Sequence, residues 1–363
     1  MRLGIFLPNW VGDVVMATPA LRAFRKYAGP DGTLVGIMRP YVAEVLAGNT
    51  WLNEQLIYDK SDTRLGLPRR HVIQSMRRAR LDQIVLLTNS WRTAWIAWRS
   101  RASERIGFRH DARSLLLTKA VSMPTTANGK ILPTVEGYLY LSEAVGCQPE
   151  PPILELATTP ADEEAANEVW RQLDLPAGDR VVVLNSGGAF GAAKHWPAEY
   201  FAELARRIAH GNNYAVLVNC GPSEREIARE IVARANEPRV VGLADWPELP
   251  VGLTKACIRR SRLLVTTDSG PRYFGVAFGR SVVTLFGPTD PAHTRLPYGR
   301  EACLSLNLDC QPCMKRTCPL KHHRCMRDLI VDTVFSAATN LLKHGTAQLA
   351  EPVADHSIPG GTP

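Results

Sequence analysis

The sequence predicts an α/β protein built from two doubly wound, Rossmann-like domains in tandem, facing a central cleft. Three observations carry this. Apolar runs of strand length recur along the chain, each ending in a turn and followed by an amphipathic stretch. The series is interrupted once, where Pro124, Pro133, Pro149, Pro151, Pro152 and Pro160 accumulate, and then resumes. The length, 363 residues, exceeds one ordinary core and fits two.

Each element has a local reason. "LGIFLP" is a short apolar strand that runs into a turn, and "DVVMATPALRAFRKYA" after it has helical spacing. "TLVGIM" with "YVAEVLAG", and "LDQIVLLTNS" with "WRTAWIAWRSR", repeat the unit. The linker is expected near residues 148–160, giving a first domain over 1–155 and a second over 156–345. In the second, "DRVVVLNSGGAFGAAKHWP" reads as strand and loop, with a helix starting at about Ala198. "NYAVLVNCGPSEREIAREIVARA", "RLLVTTDSGPRYFGVAFG" and "SVVTLFGPTDP" continue the series, and "TVFSAATNLLKH" reads as a closing helix. Residues 346–363 are expected to be a disordered tail. Ligands of such sheets bind beyond the carboxyl ends of the strands, so the cleft between the domains is the expected site.

Hydrophobic residues make up 45% and charged residues 21%, the balance of an ordinary soluble globular protein. The longest apolar stretches are strand-sized, too short to span a bilayer. "MRLGIFLPNW" is too short an apolar run for a signal peptide, so a cytoplasmic protein is expected. The net charge is +8, with its excess between Lys60 and Arg113 (Arg69, Arg70, Arg77, Arg78, Arg80, Arg92, Arg99, Arg101, Arg105, Arg109). Such a face fits an anionic partner (nucleic acid, a phosphorylated molecule or a membrane surface), or it is simply a solvated arginine-rich surface.

Four stretches carry candidate chemistry. In "TTDSGPRYFGVAFG", Ser269, Gly270 and Pro271 open a helix after a strand, an arrangement whose free N–H groups attract anions. Asp268 beside them suits sugar hydroxyls better than phosphate; a plain helix cap is the alternative. "NSGGAFGAAKHWP" puts a glycine loop before Lys194, a second phosphate-contacting pattern without P-loop spacing. In "NCGPSERE", Glu224 follows a strand by a short turn, where it can bind ribose hydroxyls or act as a first-turn helix acid. In "PNWVGDVVMATPALRAF", Asp13 stands on a glycine turn directly after an apolar strand. No Ser/His/Asp order, HExxH, GxGxxG or acidic pair for a metal–diphosphate appears.

Together, "WVGDVVMATPALR", "NSGGAFGAAKHWP", "TTDSGPRYFGVAFG" and "LFGPTDPAHTR" resemble glycosyltransferase family 9, the bacterial lipopolysaccharide heptosyltransferases. The matches lie in both halves, in the family's order. The loop form, "TNSWRTA" and "LDCQPCMKRTCPLKHHRCM" are most similar to the branch that adds the second heptose. The resemblance implies a GT-B enzyme that transfers heptose from ADP-L-glycero-D-manno-heptose to the first heptose of a Kdo–lipid A core, with inversion. Asp13 would be the general base; it needs no tuning to be ionised at neutral pH. Gly12 would let the turn place it. Lys194, Ser186, Gly187 and Gly188, with the helix start at Ser269, Gly270 and Pro271, would stabilise the leaving diphosphate. Glu224 would hold ribose, Leu249 would pack on the nucleoside, and Asp268 would hold heptose hydroxyls. Asn89, Ser90 and Arg92, after a strand end, would contact the acceptor together with Gly12. Catalysis would require no cofactor, and nucleic acid is not an expected partner. The acceptor would bring the enzyme to the inner face of the cytoplasmic membrane, a peripheral contact that Trp91, Trp95 and Trp98 would serve unless they are core.

The chain departs from the family's pattern in Arg272-Tyr273, where a small or apolar residue and a histidine are usual; Arg272 is then a candidate diphosphate contact. Four cysteines, Cys310, Cys313, Cys318 and Cys325, cluster with His322 and His323 within the segment 303–328. They fit either a structural zinc or iron–sulfur site, or free thiols and local disulfides. Two other readings stay open: a family 9 transferase with another sugar or acceptor, and a non-catalytic nucleotide-sugar or nucleic-acid binding protein.

Overall fold

The structure, a computed structural model, describes residues 1–59, 69–125, 129, 132–188 and 190–345. The expected tail, residues 60–68 of the basic stretch and Ala189 of the glycine loop lie outside the described residues. The first sheet consists of β1 (Arg2–Phe6), β2 (Thr33–Met38), β3 (Glu54–Ile57), β4 (Gln83–Leu86), β5 (Glu104–Phe108) and β6 (Lys119–Val121). The second consists of β7 (Val181–Asn185), β8 (Ala215–Asn219), β9 (Val240–Gly242), β10 (Leu263–Thr267), β11 (Ser281–Phe286) and β12 (Glu301–Ser305). Their orders are β3-β2-β1-β4-β5-β6 and β12-β11-β10-β7-β8-β9, with every pairing parallel. The two orders are the same topology twice. Central strands such as β7 and β10 are buried on both faces, which is why their sequences are unbroken apolar runs rather than alternating ones.

In each sheet the strand order reverses once, between β1 and β4 and between β7 and β10. Loops leaving such adjacent strands diverge to opposite faces and open a crevice at the carboxyl edge. The loop after β1 leads into the helix Val11–Met16, and the loop after β10 into the helix Gly270–Ala277. These two helices, one from each half, pack on each other. The helix Thr134–Val145 packs on Thr18–Ala28 in the first half, whereas Pro160–Gln172 packs on Val251–Arg260 in the second. The change of partner falls in the proline-rich stretch between them.

That connection is anchored. Thr159 caps Pro160–Gln172 in a capping box with Asp162. Lys255, fully buried, donates to the carbonyls of Val45 (3.3 Å), Ala47 (2.9 Å) and Ala157 (2.9 Å). It thus satisfies carbonyls at the end of the helix Pro40–Leu46 that no helical turn can reach. The closing helix Val331–His344 packs on Ala198–Asn212. No helix among the described residues is long and apolar enough to cross a membrane.

Candidate active site

The facing carboxyl edges enclose a cavity of about 620 Å³, lined by residues of both halves. From the first half come Trp10, Gly12 and Asp13; from the second come Gly187, Gly188, Lys194, Glu224, Leu249, Asp268, Ser269, Gly270 and Pro271. Two glycines set how closely the halves approach. A Cβ at Gly12 would lie 2.5 Å from the Tyr273 ring, and one at Gly270 would lie 2.8 Å from Val11 Cγ1. The Gly12 backbone has no left-handed torsion, so the requirement is for space and not for the turn.

At the centre stands a charged chain. Lys194 Nζ donates to Asp268 Oδ2 (2.8 Å) and to the Asp268 carbonyl (2.5 Å), and lies 4.5 Å from the centroid of the Phe190 ring. Thr289 Oγ1 donates to Asp268 Oδ2 at 2.8 Å, and Arg272 Nη1 lies 3.4 Å from Asp268 Oδ1. Arg272, fully buried, donates from Nε and Nη2 to Glu301 on β12 at 2.6 and 3.1 Å. Such a buried pair holds because each charge is matched and hydrogen-bonded. Burial pushes Asp268 up, but Lys194 and Arg272 outweigh it and hold the carboxyl below its ordinary value. Asp13, open to the cavity and enclosed elsewhere, is raised to about 6 by burial first and by the Asp268 charge second, while Lys194 pulls it down. The result is a carboxylate ionised at neutral pH and basic enough to accept a proton.

The family model "Glycosyltransferase family 9 (heptosyltransferase)" matches residues 69–324. The chain belongs to this family. It is 30% identical over 348 residues to lipooligosaccharide heptosyltransferase 2 of Campylobacter jejuni, covering 95% of this chain and 99% of that protein. It is 27% identical over 305 residues to lipopolysaccharide heptosyltransferase 2 of Escherichia coli K12, covering 81% and 85%. The solved structure of E. coli ADP-heptose LPS heptosyltransferase II superposes with a TM-score of 0.77 at 22% identity, over 95% of this chain and 99% of that one. The fold is therefore that of the GT-B heptosyltransferases.

Against the family pattern, the structure rearranges several expected contacts. Gly187 makes room for Glu224: a Cβ there would lie 1.9 Å from the Glu224 carboxyl carbon. Glu224 Oε2 accepts from the Gly221 N–H (2.8 Å), so this residue both faces the cavity and caps its own turn. Ser186, expected among the donor contacts, is fully buried, does not line the cavity, and its Oγ has no partner among the described residues. Arg272, the expected diphosphate contact, is likewise withdrawn from the cavity by its pairing with Glu301. Asn89, Ser90 and Arg92 do not line the cavity either. They follow β4, but Ser90 accepts from the Thr93 N–H (3.2 Å) as a helix cap, and Asn89 faces buried Arg113 at 3.5 Å. Trp91 and Trp98 are about half exposed (54% and 48%), so these two are not core residues. Asn185 and Asn219, the first residues of two of the quoted motifs but given no role there, are the last residues of β7 and β8 and line the cavity, with Asn219 Nδ2 donating to Asn185 Oδ1 at 2.8 Å. Their position as polar ends of apolar strands was a usable signal.

The cysteine segment also lies closer to the site than its sequence position implies. Cys310, Cys313, Cys318 and Cys325 line a small void of about 20 Å³ with His322 and His323. The four cysteines are free thiols, and no group of three His, Cys, Asp or Glu among the described residues is arranged to hold a metal. His323 Nε2 lies 2.8 Å from the Ala193 carbonyl oxygen. Burial, and then the neighbouring thiols, push Cys325 up to about 11, keeping it protonated. The segment braces the loop that carries Lys194. The Ala193 N–H donates to the Arg316 carbonyl at 3.0 Å, and Met314 and Arg316 line the cavity.

Proposed function

We propose that this protein is an inverting heptosyltransferase of lipopolysaccharide core assembly, moving heptose from ADP-L-glycero-D-manno-heptose to the first heptose of the Kdo–lipid A inner core. The observation that carries the reading is the single cavity in which Asp13 from one half faces the Lys194–Asp268 pair from the other. The similarity to lipooligosaccharide and lipopolysaccharide heptosyltransferases 2, and to an ADP-heptose LPS heptosyltransferase II, supports the donor and acceptor classes.

In this reading the donor lies on the second half. Leu249 packs on the nucleoside, the free Oε1 of Glu224 accepts from ribose, and the backbone at Gly188, Ser269 and Gly270 with Lys194 meets the diphosphate. Asp13 removes the acceptor hydroxyl proton as that oxygen attacks the anomeric carbon. The new C–O bond forms on the face opposite the bond to the β-phosphate oxygen, which breaks with its electron pair leaving on ADP. One displacement inverts the centre. Asp268 orients Lys194 and, through its remaining lone pairs, accepts from donor hydroxyls. The half-exposed Trp91 and Trp98, with exposed Arg92 and Arg99 on the same helix, favour peripheral contact with an anionic membrane face.

The test is ADP release from ADP-heptose with and without a Kdo–lipid A acceptor bearing one heptose, with the product's anomeric configuration read by NMR. Acceptor-dependent release with inversion is expected. Release with retention excludes the single displacement, and ADP-heptose binding without turnover redirects the reading to another acceptor.

A further inference from the structure

The cavity is poor in free positive charge for a site meant to hold a diphosphate. Its lining carries Asp13, Glu224, Asp268 and Asp290, against the cations Lys194 and Arg316. Lys194 is tied to Asp268 at 2.8 Å, so much of its charge is already balanced. Arg272, the nearby third cation, is buried against Glu301. Among the described residues, Arg316 is the cavity-lining cation with no carboxylate partner and no hydrogen bond from its guanidinium.

Its placement is defined. The guanidinium carbon lies 5.8 Å from the centroid of the Trp10 ring, in the first half, and 5.9 Å from that of Phe190, in the glycine loop. Lys194 Nζ stands over the same Phe190 ring. The Arg316 backbone is bonded to the neighbouring Ala193, and a Cβ at Gly191 would lie 2.6 Å from the Arg316 carbonyl oxygen, so the two chains run in contact. Within cation–π range of two rings, the planar guanidinium keeps its N–H edges free for an anion, with a fork of donors that lysine lacks.

We propose that Arg316 is a donor-binding residue that contacts the diphosphate of the ADP-activated sugar and supplies the charge that Lys194, paired with Asp268, does not. The cysteine-rich segment is then part of the transfer site, because it delivers this arginine. The inference rests on the ADP-sugar reading above.

The experiment is calorimetric binding of ADP and of adenosine to the full chain and to Arg316→Ala and Arg316→Lys. Arg316→Ala is expected to weaken ADP about ten-fold, the scale of one charge-assisted hydrogen bond, and to leave adenosine unchanged. Arg316→Lys is expected to restore part of the loss. Arg316 is exposed, so the variants are expected to fold, and matched melting temperatures check it. Equal loss for ADP and adenosine, or none for either, overturns the proposal. So does an effect confined to the acceptor KM in turnover. If the wild-type chain binds no ADP, the ADP-sugar reading itself fails; if it binds ADP as tightly as Arg316→Ala does, only the inference fails.

Discussion

The two sheets share one strand order, and their carboxyl edges face one cavity, yet they end in different chemistry. The first half presents a carboxylate, Asp13, on a six-residue helix, with no cation hydrogen-bonded to it among the described residues. The second presents a matched chain of charges running Lys194, Asp268, Arg272, Glu301. The common topology explains where a ligand binds, and the loop residues explain what is done there. A base is useful when it is underpaired and its pKa is raised. An anchor for an anion is useful when its geometry is locked. The two halves are built on those opposite rules.

The comparison breaks most sharply at the base. Asp13→Asn is expected to lower kcat by about a thousand-fold or more while ADP affinity holds, as measured by ADP release and calorimetry. If turnover persists, the first half has no base at this position. The anchor comes next. Lys194→Met is expected to lower kcat by about a hundred-fold and to weaken ADP, because it removes a cation from the leaving diphosphate and unbalances buried Asp268.

The coupling between the halves is tested by pH. Asp13 must be ionised to accept a proton, so kcat/KM is expected to rise with pH through an apparent pKa near 6. Asp268→Asn removes a charge that raises Asp13, and its acid limb is expected to move to lower pH. Lys194→Met removes a charge that lowers it, and its residual activity is expected to show the limb at higher pH. For stability the sign is the reverse of activity. A carboxyl whose folded pKa is raised from 3.8 to about 6 favours the fold below its unfolded value, and that contribution is lost as pH rises through 6. Asp13→Asn is therefore expected to melt higher than the wild type at pH 8, with the gap narrowing at pH 5.

Smaller effects test the contact between halves. Gly12→Ala places a methyl against Tyr273 and is expected to cost about 1–3 kcal/mol in chemical denaturation. Trimming the ring in Gly12→Ala/Tyr273→Leu is expected to recover part of it. Asn89→Ala and Arg92→Ala, outside the cavity, are expected to change acceptor KM by less than about three-fold. A larger change would extend the acceptor site along the end of β4.

The doubly wound architecture is legible from local pattern alone, because parallel strands buried on both faces must be unbroken apolar runs and their crossovers must be amphipathic. So are the loops that carry Asp13, Lys194, Glu224 and Asp268, because helix starts and glycine turns after strands are local features. The partners of these residues come from tertiary packing. Gly12 looked like a turn residue, and it is a gap for Tyr273. Arg272 looked like a phosphate ligand, and Glu301, nearly thirty residues on, holds it. The cysteine segment lies far along the chain from the glycine loop, and its Arg316 lines the cleft. Spacing encodes what one strand or helix presents. Which charge is balanced, and which stays free for a ligand, depends on groups brought together from distant segments, and no local pattern records that.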